Sequence, residues 1–181
     1  MNRYIFTTIL VLILCSCDKK KDIKSDMDRF YHSTINFSID SMSQYMYNNV
    51  DIAYFHNNAP TLVIYFDSLI CGTCEVKNLH LWNDLLSQLN SSHNLKDFKT
   101  IFVFTPSQRQ IIPLKLSLRN VQLDYPIFID EEYLFISKNA NIPNNHIMHV
   151  FLLDDKNKVI LVGNILNNEH VRDLFVNFLS L

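Results

Sequence analysis

Two cysteines with two residues between them are the side chains in this sequence best suited to do chemistry. Cys71 and Cys74 lie in the stretch "ICGTCE", directly after the apolar run "TLVIYF" and before "VKNLHLWNDLLSQL". Thiols at this spacing suit thiol–disulfide exchange, but they also occur as half of a metal site or as two buried structural cysteines. The elements around the pair help to decide among these three possibilities.

The flanking residues predict a strand that leads into a helix. "TLVIYFD" is a continuous β-branched and apolar run, typical of a strand buried on both faces. A helix is predicted from about Gly72 to Leu89, with apolar residues recurring along one face. Cys71 would then lie at the start of the helix, where unpaired N–H groups and the helix dipole favour a thiolate. Cys71 is therefore the predicted low-pKa nucleophile, and Cys74, one turn on, can attack a mixed disulfide formed at Cys71.

The remaining elements alternate between strands and helices. Further strands are predicted at Lys99–Pro106 and Tyr125–Asp130, followed by a hairpin of Met148–Asp154 and Lys158–Gly163. A helix should begin at Ser107, with Pro113 either kinking it or marking its true start, and Asp130 should cap a short helical segment. The terminal helix is expected to face inward with Val171, Leu174, Phe175 and Phe178. The order β-α-β-α-β, then β-β-α, predicts an α/β fold with a mixed sheet and helices on both faces.

Composition excludes several classes of function. Hydrophobic residues make up 48% of the 181 residues and charged residues 19%, which is typical of a globular protein. The net charge of −2 gives no basic face for nucleic acid. With only two glycines, the chain has no glycine-rich phosphate loop, and neither GxSxG nor HExxH is present. No nucleotide or other cofactor is therefore predicted.

The N-terminal residues predict a secretory signal and a lipid anchor. Arg3 precedes an apolar stretch, Tyr4 to Leu14, that is too short to span a bilayer. Its end, "LCSC", resembles the lipobox of bacterial lipoproteins, which implies that Cys17 is lipidated and becomes the first mature residue. A simple cleaved signal and an uncleaved anchor are the alternatives. The predicted location is outside the cytoplasm, on a bacterial membrane.

Four segments follow from this interpretation. Residues 1–16 form the signal peptide, 17–29 a charged and solvated tether, 30–59 an N-terminal extension packed on the core, and 60–181 the main domain. Within the extension we expect a short strand near Ile35–Phe37 and one or two helical turns after Ser41. Its aromatic stripe is predicted to serve packing: Tyr45, Tyr47, Tyr54 and Phe55.

The mature domain would keep only Cys71 and Cys74, in a compartment where disulfides persist. A structural disulfide normally closes a long loop, because that restricts the unfolded chain most. A bridge between Cys71 and Cys74 closes almost none of the chain. The pair is therefore poorly explained as a structural staple.

The motif and its context resemble the thioredoxin superfamily. "VIYFDSLICGTC", "YPIFIDE" and "VFLLDDKNKVILVGN" are similar to thioredoxin-like lipoproteins of Bacteroidota, and the inserted "YPIFID" strand indicates the TlpA-like and peroxiredoxin-like branch. The likeness covers roughly Pro60 to Leu181. It implies a thioredoxin-like fold in which Cys71 is the attacking thiol, Cys74 the resolving thiol, and protein thiols or disulfides the partners.

The sequence departs from this family at three positions. Ile70 replaces the tryptophan that commonly precedes the first cysteine. The buried acid that helps to deprotonate the second thiol falls at Tyr65, a poor base, so Asp67 is the candidate substitute. The cis-proline that faces the dithiol falls at Met148, with Pro143 the nearest proline upstream.

Two other functions remain open on these residues. One is a thioredoxin-fold binding module whose dithiol is vestigial or regulatory. The other is copper or zinc handling, because Met148 and His149 of the predicted substrate loop would lie near Cys71 and Cys74. The ligands in that alternative would be Cys71, Cys74 and His149, whereas the preferred interpretation has no metal.

Overall fold

The computed structural model describes residues 23–37, 42–45 and 58–180. The predicted signal peptide, Cys17, Tyr47, Tyr54 and Phe55 lie outside these residues. Residues 23–30 are helical, although the sequence predicted a solvated tether up to residue 29. Most side chains of this segment are exposed, as a tether would have them, but Phe30 at its end is fully buried. Within the described part of the chain, no helix has the length and apolar character needed to cross a membrane.

The main elements follow the predicted order. In chain order they are β1 (Ser43–Tyr45), β2 (Thr61–Phe66), α1 (Gly72–Ser92), β3 (Lys99–Phe104), α2 (Ile111–Leu118), β4 (Ile127–Ile129), α3 (Leu134–Lys138), a 3₁₀ turn (His146–Met148), β5 (Val150–Leu153), β6 (Val159–Val162) and α4 (Glu169–Ser180).

The six strands form one mixed sheet in the order β1-β4-β3-β2-β5-β6. β2, β3 and β4 are parallel, whereas β5 pairs antiparallel with β2, β6 with β5, and β1 with β4. This is the predicted α/β mixed sheet of thioredoxin-like topology. Every residue of β2 is buried, as its continuous apolar sequence indicated.

The sheet has a hydrophobic core on each face. On one face, α1, α2 and α4 pack through residues such as Leu79, Leu114 and Phe175. On the other, Phe30 and Phe135 join the side chains of the strands that point that way. Because β2, β3 and β4 are placed successively in one direction, right-handed crossovers put α1 and α2 on the same face.

The N-terminal extension differs from its prediction. Residues 35–37 are not a strand. The chain instead pairs beside β6 around an antiparallel bridge between Thr34 and Lys158, with backbone hydrogen bonds on either side of it. Ser43–Tyr45 is an edge strand, where helical turns after Ser41 were predicted. Local pattern was misleading here because the extension takes its conformation from backbone pairing with the sheet edges. Tyr45 packs against the core, as expected.

Two helices also differ in detail. α2 begins at Ile111, with Gln110 rather than Ser107 as its N-cap residue, so Pro113 lies in the first turn and marks the true start. On α4, Phe175 and Leu179 are buried, whereas Leu174 and Phe178 are 37% and 38% exposed. α4 contacts β6 at the edge of the sheet, where only a narrow stripe of the helix can be covered. The prediction that Leu174 and Phe178 face inward was therefore wrong.

Candidate functional site

The dithiol lies at the carboxyl end of the central strand. The loop after β2 runs from Asp67 to Ile70 and delivers Cys71 to the N-cap position of α1. β3 lies on one side of β2 and β5 on the other. Strands that follow β2 in the chain are therefore added on both sides of it. In open α/β sheets the crevice at such a point is where ligands bind.

Asp67 shapes the loop that precedes the cysteines. Its Oδ1 accepts hydrogen bonds from the backbone N–H groups of Leu69, at 2.8 Å, and Ile70, at 3.1 Å. The carboxylate thereby closes a turn of the kind that aspartate favours. At the other end of the loop, Gln110 Nε2 donates to the Ile70 carbonyl at 3.3 Å, which ties the loop to α2.

Cys71 and Cys74 form a disulfide, with Cα atoms 5.2 Å apart. Both residues are exposed. Backbone N–H groups of Cys74 and Glu75 donate to the Cys71 carbonyl, which begins the helix directly at the first cysteine. Cys71 therefore lies at the N-terminus of α1, the position that the sequence predicted.

Thr73 is a residue of this site that was not among the predicted site residues. Its Oγ1 lies 3.4 Å from Cys71 Sγ. Because a disulfide sulfur carries no hydrogen, the hydroxyl is the donor. After reduction, a hydrogen bond from the same hydroxyl would stabilise a thiolate at Cys71. A hydroxyl residue between two cysteines at a helix start is the sequence signal that would have found it.

Tyr65 occupies the position where the family's buried acid was expected. Burial raises the pKa of its phenol to about 12, and the nearby charges of Asp67 and Asp130 add to that shift. The phenol therefore stays protonated at neutral pH and is no base. Its ring packs beside the imidazole of His149, with the ring centroids 4.8 Å apart.

The residues just before β5 include a buried methionine and a buried histidine, Met148 and His149. Met148 is 3% exposed and belongs to the core on the face shared with Phe30, so its thioether is not presented to solvent. His149 is also 3% exposed, and its carbonyl accepts a hydrogen bond from the N–H of Tyr65. No peptide bond among the described residues is cis. Pro143 contributes its carbonyl oxygen, 2.8 Å from His149 Nε2.

No metal centre is formed by the predicted alternative ligands. In the part of the chain that the structure describes, no three His, Cys, Asp or Glu side chains are grouped so that they could hold a metal ion. His149 Nε2 contacts a backbone carbonyl, and the two sulfurs are bonded to each other. The described geometry thus joins the two sulfurs in a disulfide and does not group them with His149.

The fold and the disulfide together define an α/β protein of thioredoxin-like topology with an exposed CxxC disulfide. No protein-family model and no curated protein matches the chain.

Solved structures that resemble it include the thioredoxin domain of a thiol-disulfide oxidoreductase from Bacteroides vulgatus. The two are 14% identical, with a TM-score of 0.48 over 82% of this chain and 97% of that one. A protein of Chlorobium tepidum, provisionally assigned as the thiol:disulfide interchange protein DsbE, is 16% identical, with a TM-score of 0.45 over 68% and 79%. A thioredoxin-like protein from Bacteroides caccae is 9% identical, with a TM-score of 0.43 over 88% and 55%.

Proposed function

We propose that this protein is a thiol-disulfide oxidoreductase that exchanges disulfides with protein thiols through Cys71 and Cys74. The observation that carries the proposal is the exposed disulfide at the N-terminus of α1. Exchange requires a thiolate to reach one sulfur of the disulfide, so exposure of both residues suits the reaction. The chemistry is complete with two thiols and needs no bound cofactor.

Cys71 is the attacking thiol in this proposal and Cys74 the resolving thiol. The unpaired N–H groups at the start of α1 and the Thr73 hydroxyl both favour negative charge at Cys71. Asp67 acts by holding the loop that presents Cys71, through its bonds to two backbone N–H groups. Met148 and His149 are buried, so the exposed residues of the same turn, His146 and Ile147, are the ones that would contact a partner polypeptide.

The test is the redox equilibrium of the full chain with Cys15→Ser and Cys17→Ser, in detergent, against graded reduced and oxidised glutathione. Since the sequence holds four cysteines, these changes leave Cys71 and Cys74 as the only thiols. A reversible two-electron transition, read by thiol alkylation, is expected. Adding Cys71→Ser should abolish it, whereas adding Cys74→Ser should leave a stable mixed disulfide with glutathione.

Other outcomes identify the competing functions. Thiols that stay unreactive in the folded protein would contradict the enzyme proposal and leave a thioredoxin-fold binding module. Stoichiometric copper or zinc in the same sample would favour metal handling instead.

The location in this proposal is outside the cytoplasm, with the domain tethered to a bacterial membrane through lipid on Cys17. Support comes from the lipobox-like "LCSC" and from the exposed CxxC pair, because disulfides persist outside the cytoplasm. Expression of the full chain in bacteria fed a clickable fatty acid should label the protein in the membrane fraction. Cys17→Ser should remove the label, and Cys15→Ser should not; equal labelling of both variants would refute the anchor.

A further inference from the structure

A cavity of about 250 Å³ borders the loop that leads to Cys71. Asp67 and Leu69 of that loop lie in one wall, and Tyr65 and Tyr133 lie in the others. The cavity is smaller than the pockets that bind drug-sized molecules, which suits it to a single side chain or a small ion. Its polar groups indicate which kind of group it can bind.

The charge at this cavity is negative. Asp67 supplies a carboxylate, and none of the described residues that line the cavity is a lysine or an arginine. His149 lines it too, but burial lowers the pKa of the imidazole from 6.5, so the ring is neutral near pH 7. Besides burial, the charges of Asp67 and Asp130 raise the pKa of Tyr65, which indicates that both carboxylates act on this region. A cation in the cavity would therefore be attracted.

One oxygen of the Asp67 carboxylate is available to such a cation. Oδ1 accepts from the N–H groups of Leu69 and Ile70, whereas no described residue donates a hydrogen bond to Oδ2. The nearest ring nitrogen, His149 Nδ1, is 3.9 Å from Oδ2, which is beyond hydrogen-bond distance. The Asp67 side chain is 16% exposed, so a ligand can approach the carboxylate from solvent.

Two buried polar groups of the same cavity also lack partners. Thr105 and His149 are 1% and 3% exposed, and neither Thr105 Oγ1 nor His149 Nδ1 forms a hydrogen bond with a described residue. The Thr105 hydroxyl lies near that of Tyr65 but without normal hydrogen-bond geometry. Because His149 Nε2 donates to the Pro143 carbonyl, Nδ1 can only accept. Both atoms are covered by their neighbours, so they favour a cation through their partial negative charge and not through contact.

We propose that this cavity binds the ammonium group of a lysine in the partner polypeptide, with Asp67 Oδ2 as the counter-charge, while the partner's cysteine reacts at Cys71. The inference rests on the proposed oxidoreductase function and adds its substrate class, which is proteins with a lysine close to the reactive cysteine. A lysine ammonium donates hydrogen bonds and accepts none, which suits these walls. It is a compact charge on a flexible stem, and Leu69, 86% exposed, offers that stem an apolar surface at the rim of the cavity.

One polypeptide can make both contacts. Leu69 lies two residues before Cys71, so the Cα atoms of the two residues are within about 7 Å of each other. The reach of an extended lysine side chain is comparable. A lysine within about three residues of the partner's cysteine can therefore enter the cavity while that cysteine is at Cys71.

The experiment measures how fast the reduced parent protein, the full chain with Cys15→Ser and Cys17→Ser in detergent, reacts with cysteine peptides. Each peptide carries its cysteine as a mixed disulfide with thionitrobenzoate, and a lysine or an Nε-acetyl-lysine up to about three residues away on either side. The Cys71 thiolate attacks the peptide sulfur, and thionitrobenzoate leaves as a coloured thiolate. Cys74 then loses its proton to solvent and attacks Cys71 Sγ, and the peptide leaves as a thiol. The protein loses two electrons, which pass to the two sulfurs of the peptide disulfide.

At least one lysine peptide should react about tenfold faster than its acetyl-lysine counterpart, the size expected of a hydrogen bond between charged groups. Glutathione, used as the attacking thiol in place of the protein, gives the ratio intrinsic to the peptides, by which the protein's ratio is divided. Asp67→Asn keeps an oxygen for the N–H groups of Leu69 and Ile70 but loses the charge, so the preference should disappear. Glu75→Gln removes an acid that follows Cys74 and lines a different cavity; it is the matched control and should keep the preference.

Equal rates of the parent protein with the lysine and acetyl-lysine peptides at every position would overturn the inference. A preference that persists in Asp67→Asn, or that is lost in Glu75→Gln, would overturn it too. Should Asp67→Asn fail to fold, butylammonium chloride added to the parent protein should remove the lysine preference, whereas sodium chloride at the same ionic strength should not. Equal effects of the two salts would then count against the cavity. A parent protein that reacts with none of the peptides would instead refute the oxidoreductase function.

Discussion

Asn139 is the side chain that ties the N-terminal extension to the main domain. It is 3% exposed, and its Oδ1 accepts from the N–H of Asn36 at 2.7 Å. Its Nδ2 donates to the carbonyls of Asn36, at 2.8 Å, and Phe135, at 2.7 Å. One amide thus bridges the chain near residue 36 and the helix α3. Asn139→Ala removes all three hydrogen bonds at once.

The expected loss of stability follows from this count. A buried hydrogen bond contributes about 1 kcal/mol net, so three give about 3 kcal/mol, with some return if water enters the vacated space. Asn139→Asp should destabilise at least as much, since a buried carboxylate would face the carbonyls of Asn36 and Phe135. Its loss should shrink at low pH, where the carboxyl group is neutral. Urea unfolding measures both variants.

Asn141→Ala is the matched control, because Asn141 is an exposed asparagine two residues along the same loop. Its free energy of unfolding should change by less than about 0.5 kcal/mol. A loss below about 1 kcal/mol for Asn139→Ala would refute the argument that this amide holds the extension in place. The extension would then be held by apolar burial of Phe30 and Ile35 instead.

Three further predictions concern burial and titration. Because burial lowers the pKa of His149 below 6.5, the unfolded chain binds this proton first as pH falls. The stability that neutral His149 contributes should be complete above about pH 6.5 and decline below it. Urea unfolding at about pH 7.5 and 5.5 should show a smaller loss of unfolding free energy in His149→Gln than in the parent protein. An equal loss in the two proteins would contradict this prediction. Ultraviolet titration should show a phenol that ionises at about pH 12, and this step should be absent in Tyr65→Phe and retained in Tyr31→Phe. Leu179→Ala should cost about 2–5 kcal/mol and Leu174→Ala under about 1, and equal losses would contradict the burial pattern of α4.

The sequence predicted well those elements whose pattern reflects burial. β2 and the apolar face of α1 were recognisable because each residue's burial follows the period of its element. Asp130 was foreseen as a cap, and its two oxygens accept from the N–H groups of Leu134 and Phe135. The position of Cys71 at a helix start followed from the same local signals.

Residues that depend on distant partners were not predictable in this way. β1 exists because Ser43–Tyr45 pairs with β4, more than eighty residues along the chain. The Asp67 carboxylate was singled out as a base, but its bonds to two loop N–H groups show a structural use that spacing did not reveal. The orientation of the His149 ring, which leaves Nδ1 without a hydrogen-bond partner among the described residues, is set by the backbone carbonyl of Pro143. No side-chain pattern in the sequence predicts that contact. Burial leaves a periodic trace in sequence, whereas a backbone partner leaves none.

The extension and the candidate site are linked through one loop. Asn139, which binds the chain at Asn36, begins the segment that contains Pro143, and the Pro143 carbonyl fixes the His149 ring. The N-terminal helical segment also borders this loop, because Asp26 and Arg29 line a cavity with Pro143. Loosening the extension should therefore let the His149 imidazole rotate. The disulfide should stay in place, because Asp67 and α1 hold it. It follows that Asn139→Ala, beyond its cost in stability, should shift the NMR signals of the His149 ring while leaving the Cys71–Cys74 disulfide intact.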